Sequence, residues 1–102
     1  MRTFITVREK INALKNMIRE PFAWPGGYEK LAIIEDGAIL CRKCTRENFR
    51  QILMFTKDGG RTGWEFEAII LDCELEPREF IEENPEEYSL DTCTHCNKVL
   101  NP

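Results

Sequence analysis

The fold depends on two short stretches of the sequence, Cys41-Arg42-Lys43-Cys44 and Cys93-Thr94-His95-Cys96. Each stretch is a C-x-x-C pair, in which a tight turn lets both thiolates point at one ion while free backbone amides donate to the sulfurs. Two such pairs complete a tetrahedral shell of four thiolates, the geometry that zinc prefers in structural sites. The sequence therefore predicts one structural zinc ion per chain, bound by Cys41, Cys44, Cys93 and Cys96.

The spacing between the two pairs is wide, because 48 residues separate Cys44 from Cys93. Closing a loop of this length costs about 3 kcal/mol. Structural zinc contributes roughly 10–16 kcal/mol of apparent binding free energy, so the metal can pin both ends of the insertion. Asn97 follows the second pair, at a place where such turns often need a positive φ that Asn tolerates.

Other chemistry remains open for the cysteines. Disulfides are one alternative, but the count of five is odd and no secretion signal is visible. A thioredoxin-like redox site is another, since Cys44 enters a predicted helix after an apolar run. That scheme leaves the second pair without a role. We expect Cys73 in the apolar core, and His95 solvated or beside the metal ligands, although it is able to replace one cysteine.

The N-terminal third predicts an amphipathic helix followed by a hairpin. Thr6 and Glu9 fit a capping box, and apolar residues recur at helical spacing over 7–19. Pro21 ends this helix, and a turn follows in the segment 22–28. Asp36-Gly37 lies between two apolar runs and predicts an antiparallel hairpin that delivers Cys41.

Between the cysteine pairs we expect a second helix over about 46–55, capped by Thr45, then a loop over 57–61. A long strand should run from Trp64 to Glu76. The apolar alternation changes phase near Ala68, which a bulge or burial of the strand on both faces would explain. One or two helical turns should follow between Pro77 and Pro85. Four aromatic residues should lie in the core: Trp24, Tyr28, Trp64 and Phe66. These elements predict a single α+β, zinc-ribbon-like domain over residues 1–102.

Charge is distributed unevenly along the chain, whose net charge is −4. Residues 1–63 carry 12 basic and 7 acidic side chains, whereas residues 65–91 carry 11 acidic side chains and Arg78 alone. The second segment therefore has a balance of −10, a property that bears on partners and not on fold.

Several function classes are disfavoured by composition. No apolar run exceeds four residues, so we expect no membrane span and a cytoplasmic protein. The chain has one histidine, a filled thiolate shell and no nucleophile–base signature, so we do not expect an enzyme.

The run Phe22-Ala23-Trp24-Pro25-Gly26-Gly27-Tyr28, followed by Asp36-Gly37 and the two C-x-x-C pairs, resembles a group of small, uncharacterised phage and prophage proteins. The resemblance spans roughly residues 22–100. It implies zinc binding and an accessory role in the cytoplasm of a bacterial host, directed against a host or defence protein.

The sequence leaves two kinds of partner open. The first is a protein with a basic surface, bound by the acidic side chains of Glu79, Glu82, Glu83, Glu86 and Glu87. The equal alternative for these side chains is a solvated face that only keeps the protein soluble. The second is nucleic acid, for which Arg42, Lys43, Arg46 and Arg50 offer a basic patch around the first pair. The acidic composition, with a pI near 5.1, favours the protein partner. A homodimer is also compatible with the sequence.

Overall fold

The computed structural model describes residues 2–23, 26–57 and 64–102. Four helices and a five-stranded antiparallel sheet form this part of the chain, which confirms the α+β class. In chain order the elements are β1 (Arg2–Thr3), α1 (Val7–Arg19), β2 (Phe22–Ala23), β3 (Tyr28–Ile34), β4 (Ile39–Leu40), α2 (Arg42–Glu47), α3 (Phe49–Lys57), β5 (Phe66–Leu71) and α4 (Arg78–Glu83).

Helix α1 has the bounds that its apolar periodicity predicted. The Thr6 hydroxyl accepts the Glu9 N–H at 3.1 Å, which satisfies one of the free amides of the first turn. The Glu9 carboxylate returns to the N–H of Ile5 at 3.3 Å and not to that of Thr6, so the expected capping box is only half formed. Leu14 and Met17 bury the inner face of the helix.

Strand β3 is the centre of the sheet, whose strand order is β1-β5-β3-β2. Strand β4 also pairs with β3, through the predicted hairpin at Glu35–Gly37. On the opposite edge, Ile33 faces Ala68 whereas Ile34 faces Phe66, so one extra residue lies in β5 at this point. Of the two explanations for the phase change near Ala68, this irregularity confirms the bulge.

Strand β5 is shorter than predicted. It ends at Leu71, and residues Asp72–Glu74 form a single 3-10 turn in which the Leu75 N–H donates to the Asp72 carbonyl. The turn breaks the alternation that placed Cys73 on an apolar face. Cys73 is exposed, and the expectation that it belongs to the core was wrong.

The predicted second helix is two helices. Cys41, and not Thr45, is the N-cap of α2, and Asn48 separates α2 from α3 with φ −105° and ψ 18°. Thr45 lies inside the first turn of α2, where its hydroxyl donates to the Cys41 carbonyl at 2.9 Å. The helix begins earlier than predicted because a cysteine sulfur takes the place of a capping oxygen.

Phe66, Leu14, Leu31 and Ile52 are fully buried between the helices and the sheet. Phe66 confirms its predicted core position, and Trp64 packs partly buried against the same cluster. Tyr28 was expected in the core but is 44% exposed, because it begins β3 at the end of the sheet. The prediction for Trp24, and the loop expected beyond Lys57, lie outside the described residues.

Candidate metal centre

The first C-x-x-C pair is formed by the junction of a strand and a helix. Strand β4 ends at Leu40, and Cys41 caps α2, with its sulfur accepting the N–H of Cys44 at 3.4 Å. An N-cap residue keeps an extended backbone, so its side chain turns back over the first helical turn. Both sulfurs of the pair therefore lie at the N-terminal end of α2.

The second pair is a tight turn closed by its own backbone. The Cys93 N–H donates to the Lys98 carbonyl, and the Asn97 N–H donates to the Cys93 carbonyl, both at 2.8 Å. Asn97 adopts φ 62°, the left-handed conformation that the sequence predicted there. The Thr94 N–H donates to the Ile39 carbonyl at 2.9 Å, which attaches this turn to β4.

The two pairs converge on one point. All four sulfurs lie within 4.8 Å of one another, and those of Cys41 and Cys96 are 3.8 Å apart. A zinc–sulfur bond of about 2.3 Å gives tetrahedral sulfur–sulfur edges of about 3.8 Å, so the cluster fits one tetrahedral ion. Cys41, Cys44 and Cys93 are buried, and Cys96 is exposed.

The protonation states of the thiols show why the cluster favours a cation. Burial raises the pKa of both Cys41 and Cys44, and neighbouring sulfurs of the cluster raise it as well. Burial acts against ionisation of Cys93 too, but the backbone N–H groups of Cys41, Cys96 and His95 donate to its sulfur and lower its pKa to about 6. A cation placed among these sulfurs would favour the ionised form of the buried thiols, which is the form that binds a metal.

His95 lies beside the cluster but is not one of the four residues that form it. Its Nδ1 is 3.6 Å from the Cys44 sulfur, and its ring meets Trp64 edge-on with centroids 6.4 Å apart. A ring N–H at this distance can donate to a metal-bound sulfur, which is one of the roles expected from the sequence. The backbone donors at Cys41 and Thr94, which tie the two pairs together, are not encoded by any residue pattern.

The residues predicted to bind a partner lie elsewhere. Helix α4 and the turn after it expose all five acidic side chains that the sequence singled out, namely Glu79, Glu82, Glu83, Glu86 and Glu87. The four basic residues of the alternative, Arg42, Lys43, Arg46 and Arg50, are also exposed, on α2 and α3. Arg42 is already engaged, since its guanidinium lies 3.8 Å from Glu29 and 5.1 Å from the centre of the Phe22 ring.

Comparison of the chain with protein-family models, with curated proteins and with solved structures finds no match. Among the described residues, the helices are too short or too polar for any of them to cross a membrane. The four-cysteine cluster is the feature whose chemistry can be inferred from its own residues.

Proposed function

We propose that this protein is a zinc-stabilised protein-interaction module that binds a basic protein surface. The contact region would be the acidic surface, defined as Glu79, Glu82, Glu83, Glu86 and Glu87. The observation that carries the proposal is the attachment of this surface to the chain segment that bears the second cysteine pair. A bound metal would hold that segment in place, and the segment in turn holds the acidic surface.

Zinc is the metal that suits the cluster best. Four thiolates in tetrahedral geometry are typical of zinc or iron–sulfur chemistry, and single-ion sites of this kind in reduced proteins are usually zinc. The four sulfurs fill the shell and leave no position for a substrate. The metal would therefore contribute folding free energy and not catalysis.

The attachment runs through Asn101, which is 2% exposed. Its side-chain amide donates to the Glu76 carbonyl at 2.8 Å, and its Oδ1 accepts the Asp91 N–H at 2.6 Å. Arg78 adds two bonds, from its Nε to the Asn101 carbonyl and from its N–H to the Pro102 carbonyl. The chain on both sides of the acidic surface, at residues 76–78 and at Asp91, is thus fixed to the C-terminal residues. This attachment lowers the ordering cost of binding a partner.

Aromatic side chains accompany the acidic ones. Phe80 and Tyr88 meet edge-on, with ring centroids 4.9 Å apart, and are 37% and 39% exposed. Leu90 is 45% exposed in the same segment. A surface that only kept the protein soluble would gain nothing from exposed rings, whereas aromatic residues are enriched where proteins bind one another. The rings favour a protein partner with Arg or Lys side chains, which can pair with carboxylates and stack on aromatic faces.

The resemblance to small phage proteins suggests the kind of cell in which the partner is found. On that basis we place it among the proteins of a bacterial host, and the proposed role is inhibition of a host or defence protein.

The test is affinity capture from bacterial lysate with a charge-reversed variant and a matched control. Glu82→Lys/Glu83→Lys should lose the captured protein and retain the metal. Glu20→Lys/Glu47→Lys makes the same change in net charge at exposed positions outside the acidic surface, and should capture it normally. Capture should also weaken with salt, since charge steers the encounter. Equal capture by both variants would show that the acidic surface is not the contact.

Nucleic acid is the competing partner, and binding to duplex DNA separates the two ideas. We expect no complex at physiological salt, because the −10 segment repels phosphates and Arg42 is already paired. A micromolar complex lost on Lys43→Gln/Arg50→Gln would favour the basic patch instead.

A further inference from the structure

A cavity of about 660 Å³ opens between α1 and one face of the sheet. None of the four cysteines lines it, and neither does the acidic surface. Cavities of this size hold small organic molecules, usually on apolar walls with a few polar groups that fix orientation. The cavity is therefore a second site to be explained, independent of the metal centre and of the proposed protein contact.

The register of three neighbouring strands defines the floor of the cavity. Ile69 and Leu71 are two residues apart on β5, so their side chains lie on the same face. Arg2 on β1 pairs with Ile69, and Lys30 on β3 pairs with Leu71, and directly paired residues share a face. The sheet thus presents two apolar side chains with a cation on either side of them.

Helix α1 supplies the facing wall. Asn12 and Asn16 are four residues apart and line the cavity together with Ala13 between them. Within the described residues, neither asparagine amide has a hydrogen-bond partner, so both are available to a ligand. The small side chain of Ala13 leaves the space open above Ile69.

Two basic side chains line this cavity without an ion pair among the described residues. Arg2 lies over the Phe4 ring at 5.3 Å, and neither Arg2 nor Lys30 has a carboxylate partner in the part of the chain that the structure describes. Two acidic side chains, Glu9 and Glu74, also line the cavity; the Glu9 carboxylate accepts the Ile5 N–H, and Glu74 has a partner as well. Two cations that flank an apolar floor are complementary to an anion with an apolar body.

We propose that this cavity binds a small amphipathic carboxylate. Its carboxylate pairs with Arg2 or Lys30 at the margin of the floor, its apolar body rests on Ile69 and Leu71, and the amides of Asn12 and Asn16 hydrogen-bond to its polar end from α1.

The first experiment compares three probes of equal length on the folded, metal-loaded protein by two-dimensional NMR of the backbone amides. Octanoate should shift the amide signals of residues 12–16 and 69–71 in a saturable manner. Octanamide, which lacks the charge, should bind at least about tenfold more weakly, because it loses charge-assisted hydrogen bonds. Octylamine should not bind there. Equal binding of octanamide, or preferential binding of octylamine, would overturn the proposal.

Two sets of variants then locate the site. Arg2→Gln/Lys30→Gln should weaken octanoate binding about tenfold or more, whereas Arg8→Gln/Lys15→Gln, which removes two exposed cations outside the cavity, should not. Asn16→Phe fills the cavity from an exposed helix position and should abolish binding, and Lys15→Phe is its control one residue away. Undiminished octanoate binding by a folded Asn16→Phe variant would show that the ligand lies elsewhere.

Discussion

The backbone N–H of Cys41 donates to the sulfur of Cys93, 52 residues further along the chain, at 3.4 Å. The bond joins the backbone of the first cysteine pair to a side chain of the second. With the bond from Thr94 to Ile39, it makes the second pair an extension of the β3–β4 hairpin. The metal centre is therefore continuous with the sheet.

Removal of one buried thiol should remove the metal. Cys44→Ser leaves three sulfurs, and we expect it to lose the single ion per chain and several kcal/mol of stability, out of a total of about 5–15 kcal/mol typical of small domains. Cys73→Ser is the matched control, because Cys73 is exposed and outside the cluster. Elemental analysis by mass spectrometry and thermal unfolding measure both effects. A Cys44→Ser protein that keeps a stoichiometric ion would contradict the four-thiolate site.

Thiol reactivity should depend on the metal. Of the five cysteines, Cys73 alone is exposed and outside the cluster, so one thiol per chain should react rapidly with a maleimide in the loaded protein. Addition of a chelator should raise the number to five, since metal-bound sulfurs are protected until the ion leaves. Mass spectrometry of the alkylated chain gives the count. Rapid labelling of Cys93 before chelation would argue against a bound ion.

Lys10 should contribute a pH-dependent stability. Its Nζ lies 3.0 Å from Glu65 and 3.4 Å from Glu67 on a side chain that is 11% exposed. Burial opposes the charge, but the two carboxylates outweigh it and raise the pKa of Lys10 above its ordinary 10.5. Because the folded state binds this proton more tightly, the contribution is complete below pH 10.5 and declines as the pH rises through the higher, folded-state pKa.

Replacement of Lys10 by Gln should therefore cost about 2–3 kcal/mol at pH 7, where it leaves Glu65 without its partner. The difference from the natural protein should shrink above pH 10.5. Lys15→Gln, at an exposed position on the same helix, should cost little at any pH. Urea unfolding at several pH values measures these differences. A cost for Lys10→Gln that persists unchanged into strong alkali would refute the assignment.

Thr56 should be more sensitive to loss of its hydroxyl than Thr45, although both threonines are fully buried. The Thr56 hydroxyl accepts the Phe66 N–H at 3.0 Å and donates to the Ile52 carbonyl, so Thr56→Val leaves a buried N–H unsatisfied, at a cost of about 1–3 kcal/mol. Thr45→Val removes only the hydroxyl that donates to the Cys41 carbonyl. That carbonyl still accepts the backbone N–H of Thr45, so no buried group loses its last partner. Denaturant unfolding ranks the two variants, and the reverse order would contradict these hydrogen bonds.

Asn101 should hold residues 78–91, which carry the acidic surface, to the rest of the molecule. Asn101→Leu leaves the Glu76 carbonyl and the Asp91 N–H without their partners, and should cost about 2–4 kcal/mol. Amide hydrogen exchange should accelerate over residues 78–91 more than in α1. Asn12→Leu, at an exposed position, is the control. Uniform acceleration throughout the chain would show global destabilisation and no specific attachment.

The sequence by itself determined the features that depend on near neighbours. The limits of α1, the hairpin at Asp36-Gly37, the helical turns between Pro77 and Pro85 and the conformation of Asn97 all follow from local spacing and backbone preference. The four cysteines of the cluster were also readable, because two C-x-x-C pairs in one chain are typical of one shared site.

Only the tertiary structure decided the features that depend on distant groups. Cys41 replaced Thr45 as the cap of α2, since the cluster needs its sulfur at the N-terminal end of that helix. Strand β5 ended at Leu71 and left Cys73 exposed, because its pairing with β3 stops at Lys30 and the chain turns at Asp72–Glu74. The cavity between Arg2 and Lys30 has no sequence signal. Strands β1 and β3 lie on either side of β5 and place the two cations at one cavity, and strand pairing is fixed by contacts between residues far apart along the chain.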